Sequence, residues 1–150
     1  MKKNMFKMIV AMIFVSLLSS LSAQDFGDHK SSTLTTKAWN ELGKNNSDLA
    51  VAYADKCIEL YMKEAVKMQN SLQDFSSQSD TPKYWALNDV GTCLYIKAQA
   101  LLQKGKKKEA LAAFKELTEK LKFAQCWDPN GWFWKPSEAA KEKMVEMELE

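Results

Sequence analysis

Arginine is missing from this chain altogether: all 21 of its basic side chains are lysines. The planar fork of arginine reads phosphates and guanine edges bidentately, so its absence argues against a nucleic-acid reader. Histidine is nearly missing too. The only one, His29, stands in a stretch without periodicity. That leaves no Ser–His or Cys–His pair for nucleophilic catalysis and no histidine-based metal site. Cysteine is limited to Cys57, Cys93 and Cys126, at spacings that match no metal motif. An exported chain could close one disulfide among them, but Cys57 falls on an apolar stripe and reads as a buried thiol. There is no Gly-rich phosphate loop and no Asp-rich calcium loop. No cofactor, metal or catalytic residue is expected from what remains.

The first 23 residues read as an export signal. Lys2, Lys3 and Lys7 make a basic start, and Met8 to Leu18 is an apolar run too short to span a bilayer comfortably. Leu21-Ser22-Ala23 before Gln24 is the expected cleavage site. The protein is therefore expected to be exported, periplasmic or secreted, with no stable membrane insertion after cleavage. Cleavage would remove three of the 21 lysines and none of the 19 acidic residues, which leaves the remaining chain close to neutral. Residues 24–33 mix Gly, Asp, His and Ser and read as a flexible tether. Residues 34–150 form one domain.

The domain is organised around Tyr84 to Leu121. Leu87, Val90, Leu94, Ala98 and Leu101 step by three and four, as on one face of a helix. Ala110, Phe114, Leu117 and Leu121 do the same. Gly105 lies between the two patterns, where a helix C-cap needs a left-handed residue. Two antiparallel helices joined by a tight turn follow. The fold class is all-α, with about five helices near 33–44, 47–75, 83–104, 107–125 and 137–149.

The hairpin resembles a tetratricopeptide repeat. Ala98 and Leu101 on the first helix, Gly105 at the turn, then Glu109-Ala110, Phe114 and Leu117 match that family's pattern. The resemblance implies small residues at Ala98 and Ala110 where the helices cross, with Phe114 filling the gap between hairpins. Lys97 stands where the family usually has an apolar residue. The closing Asp-Pro comes late, at Asp128-Pro129, so the second helix is expected to be longer. Ala50, Ala54 and Cys57 copy the spacing of Ala110, Phe114 and Leu117, which suggests a degenerate first repeat. Tyr84 to Gly91 and Phe123 to Trp134 also look like a group of small exported bacterial tetratricopeptide proteins, some labelled beta-glucanase precursor. That resemblance implies a carbohydrate-active role but supplies no catalytic residue to carry over.

Three other stretches invite a functional reading. Lys104, Lys106, Lys107 and Lys108 could meet an acidic partner, but no aromatics interleave, and a solvated turn is the simpler reading. Glu146, Glu148 and Glu150 point in different directions on a helix, so no two-carboxylate site follows. Trp127, Trp132, Phe133 and Trp134 are the most informative. They could stack against sugar rings or a peptide as a ligand platform, or fill the groove between the hairpin and the last helix. We favour packing, because aromatics mostly serve as buried area. Asp128 to Gly131 signals a turn, and Ser137 is expected to cap the last helix. A non-enzymatic scaffold holding a protein or peptide partner is the first expectation. A glucanase or glycan-binding accessory is the second, and a structural subunit of an envelope assembly the third.

Overall fold

The computed structural model describes residues 24–127 and 133–149. Five helices carry the fold: α1 (Ser31–Gly43), α2 (Ser47–Asn70), α3 (Trp85–Gln103), α4 (Lys107–Lys120) and α5 (Pro136–Leu149). A 3₁₀ turn, Thr81–Tyr84, precedes α3. A two-residue ladder pairs β1 (Cys126–Trp127) antiparallel with β2 (Phe133–Trp134). The all-α class with about five helices is thus what the chain adopts, with a small strand pair the sequence did not signal. The export signal at 1–23 and the turn at 128–131 lie outside the described residues.

Each helix packs on the next, and α3 also touches α1 and α5. Central position explains its composition. Leu87, Val90, Cys93, Leu94, Ile96, Ala98 and Ala100 are all buried, on more than one face, as a helix with neighbours all round requires. Gly91 is part of the same fit. A Cβ built on it would stand 2.5 Å from that of Ala124, so only glycine lets the chain after α4 come this close to α3.

The two hairpins, α1–α2 and α3–α4, turn in the same way. Lys44 N donates to Asn40 O, Asn45 N to Leu42 O and Asn46 N to Glu41 O. Lys104, Gly105 and Lys106 repeat this with Ala100, Leu102 and Leu101. Both turns need one left-handed residue. Gly105 supplies it at φ 72° and Asn45 at φ 58°, the two residue types that tolerate it best. Ala98, Ala110, Phe114 and Leu117 are fully buried and Leu101 nearly so. Lys97 reaches across to Asp55 of α2 at 2.7 Å.

Four boundaries differ from expectation. Residues 24–30 are not a free tether. Gln24 Nε2 donates to Tyr53 Oη at 2.5 Å, Tyr61 Oη donates to the His29 carbonyl at 2.8 Å, and Phe26 packs edge-on against Tyr53. α1 then begins inside the expected tether, at Ser31. α2 stops at Asn70, not near 75. Ser71 turns its hydroxyl back to the Met68 carbonyl at 2.7 Å, a local bond that competes with helix continuation. α4 is shorter, not longer, ending at Lys120. Finally, Ser137 does not cap α5. Pro136 takes the first helical position, which suits its missing N–H, and the buried Ser137 hydroxyl has no partner among the described residues.

Candidate functional site: an aromatic cleft beside α3

A buried polar latch fixes the end of the molecule where the aromatic stretch lies. Asn88, on the first turn of α3, donates through Nδ2 to the Thr81 carbonyl at 3.0 Å. Its Oδ1 accepts from the Gln125 backbone N–H, also at 3.0 Å. Gln125 Nε2 donates to the Ser76 carbonyl at 2.7 Å and lies within reach of the Ser76 and Thr81 hydroxyls. The stretch before α3, the first turn of α3 and the segment after α4 are tied together directly, with both polar atoms of the Asn88 amide and the Gln125 amide nitrogen paired.

The latch forms the floor of an open cleft of about 430 Å³. Trp85, Trp127, Phe133 and Pro82 make its walls, and Asp89 and Cys126 lie on its inner side. Trp127 and Phe133 meet edge to face at 5.2 Å. Trp85, 44% exposed, is held edge-on by Tyr61, and Trp127 is 60% exposed. The walls are thus large rings with water on one side. A mostly apolar cleft with a few convergent polar groups is the usual form of a ligand site.

Two of the described lining groups are ionisable. Asp89 is half-buried and accepts a hydrogen bond from the Ser31 hydroxyl. Burial raises its carboxyl pKa, and the Ser31 bond partly opposes this. Asp89 makes no ion pair among the described residues. The Cys126 thiol lies 2.9 Å from the Thr92 hydroxyl, and burial pushes it up to about 11. Burial thus disfavours the thiolate that nucleophilic chemistry would need. Cys57 and Cys93 are buried free thiols near each other and near the Thr35 hydroxyl, at 3.9 and 3.3 Å from it. Burial drives Cys93 well above the ordinary thiol range.

The expected platform residues separate. Trp127 and Phe133 line the cleft. Trp134, the next residue, stacks edge-on against Tyr95 at 5.0 Å and lies 5.9 Å from Trp39, so it joins α1 to α3. Strand alternation explains the division, since successive side chains point to opposite faces. Phe123, earlier in the same stretch, packs on Phe75 at 5.4 Å. Trp132 lies outside the described residues. The sequence did not single out Trp85, Asn88 or Asp89 for this site. Their signal was only a polar pair set in an otherwise apolar helix.

The lysine turn is engaged within the fold: Lys104 bonds to Asp48, Lys106 pairs with Glu109 at 3.3 Å, and Lys107 also has a partner. A second cleft of about 430 Å³ lies between α2 and α4. Its Lys97–Asp55 and Lys106–Glu109 pairs satisfy each other, so it offers less unpaired chemistry. Among the described residues no cluster of His, Cys, Asp or Glu could hold a metal, and no helix is long and apolar enough to cross a membrane.

Fold and site together define an all-α protein of two like-turned hairpins and a closing helix, with an aromatic cleft at one end. Comparison with known proteins adds no name: no family model, no curated protein and no solved structure matches the chain.

Proposed function

We propose that the protein is a non-enzymatic binding scaffold of tetratricopeptide type, exported, which holds a segment of a protein partner in the cleft of Trp85, Trp127 and Phe133. The observation that carries this reading is the pair of part-exposed indole rings beside a floor braced by buried hydrogen bonds. Exposed aromatic walls around a fixed cleft supply anchor pockets for a peptide at low ordering cost. Among the described residues of the cleft there is no activated nucleophile and no paired carboxylate, which favours holding over cutting. A partner retained by the purified protein from an envelope extract should be lost with Trp127→Ala and with Phe133→Ala. Retention unchanged in both variants, with the melting temperature also unchanged, would contradict the reading.

A carbohydrate-binding role is the second reading, favoured by the 60% exposure of Trp127, since a flat exposed ring is what sugar stacking uses. It predicts that mixed-linkage beta-glucan quenches or shifts tryptophan fluorescence in the wild type and not in Trp127→Ala. Reducing sugar released by pure protein, and abolished by one Asp or Glu substitution, would replace both readings with an enzyme.

A further inference from the structure

We propose that the cleft recognises a lysine side chain of the partner, with the ammonium group at Asp89 and the carbon stem between the aromatic walls. This rests on the cleft being a site for a protein segment and names the residue it reads.

Among the described residues Asp89 is the only carboxylate lining the cleft, and the other ionisable group there, Cys126, is neutral at physiological pH. Nearby lysines of the same chain are engaged elsewhere. Lys83 is bound to Asp80 at 2.6 Å, and Lys135 lies 4.0 Å over the Phe75 ring. The Asp89 carboxylate therefore has a place for an external cation, and the faces of Trp85, Trp127 and Phe133 add attraction for one. An anionic segment would be repelled.

The class of cation follows from what Asp89 has left. Its Oδ2 is taken by Ser31. The planar fork of arginine wants both carboxylate oxygens, and the Ser31 bond leaves it a single lone pair on Oδ2, so it is the less favoured cation. A quaternary ammonium has no N–H and would leave the remaining oxygen without a donor in a half-buried place. A primary ammonium donates to that oxygen, and the Gln125 side-chain carbonyl, also on the lining and accepting no bond among the described residues, offers a second acceptor. The four-carbon lysine stem suits the apolar walls, as such stems commonly lie along apolar surface.

The test is a set of calorimetric titrations with capped pentapeptides that differ only at the central residue: lysine, norleucine or arginine, with choline as a fourth probe. Lysine should bind about tenfold tighter than its neutral isostere norleucine, the scale of one desolvated cation contact. It should also exceed arginine and choline. In Asp89→Asn, which keeps an acceptor for Ser31, the ratio of lysine to norleucine should fall to near one. Trp127→Ala, at an exposed position, should weaken the lysine peptide without moving the melting temperature. Equal affinities for lysine and norleucine, or a preference for choline, would overturn the lysine assignment and leave the scaffold reading standing. Absence of binding by every probe would also overturn it, and the retention assay above then decides whether the cleft holds protein at all.

Discussion

Gly91 has no space for even one more carbon. Its position 2.5 Å from the Ala124 methyl, once a Cβ is added, predicts that Gly91→Ala forces α3 and the segment after α4 apart. The expected loss is about 1–3 kcal/mol, as for other overpacked core sites, read by chemical denaturation. Asp89 gives the opposite sign. Its carboxyl is raised by burial, faces the Cys93 and Cys126 thiols, and is relieved only by Ser31. Folding therefore favours the protonated form. Stability from this group is greatest below the unfolded pKa and falls as pH rises through the unfolded and then the folded value. Asp89→Asn is predicted to raise the melting temperature at neutral pH, with the gain fading as pH falls through about 4. A lower melting temperature at neutral pH would mean that the ionised carboxylate is a structural partner. Neither residue was identifiable for these roles beforehand. The sequence marks Gly91 only as a small residue in a helix and Asp89 only as a polar one, because Ala124 and Ser31 come from distant segments.

At the scale of elements, the second hairpin was legible because its turn is local. Gly105 has nothing within 4 Å of an added Cβ, so Gly105→Ala should cost only the left-handed backbone penalty, about 1 kcal/mol. Asn45 holds the same place in the first hairpin, and Asn45→Gly should be neutral or stabilising by up to about 1 kcal/mol by the same argument. A thermal melt in which both changes move stability the same way would break the equivalence of the turns. The C-terminal end of α4 was not legible, for a physical reason. The Phe123 N–H goes to Gln69 Oε1 at 2.8 Å and the Gln125 N–H to Asn88 Oδ1 at 3.0 Å. Side chains far off in sequence thus take donors that a continuing helix would have used, and no local pattern announces them. The ladder of β1 and β2 divides the aromatic stretch likewise. Trp134→Ala should cost about 2–3 kcal/mol, below the full-burial range because the ring is half-buried, whereas Trp127→Ala should cost at most about 1.

For the whole molecule, the stack of α1 to α5 places the cleft at one end. α3 runs through the middle, its first turn carries Asn88 and Asp89, and the latch of Gln125, Ser76 and Thr81 closes around it. The helical periodicity revealed that stack; the cleft arises only where three separated segments meet, so composition revealed its aromatic rings without their placement. The central claim is that the Trp127 side of the molecule meets a partner. Photo-crosslinking in cells tests it most directly, with a photoreactive phenylalanine at position 127 and, as control, at Leu60, an exposed residue on α2. The account predicts a discrete crosslinked protein from position 127 that is absent from position 60. The same products from both positions, or none from 127 while the protein is folded and abundant, would contradict it.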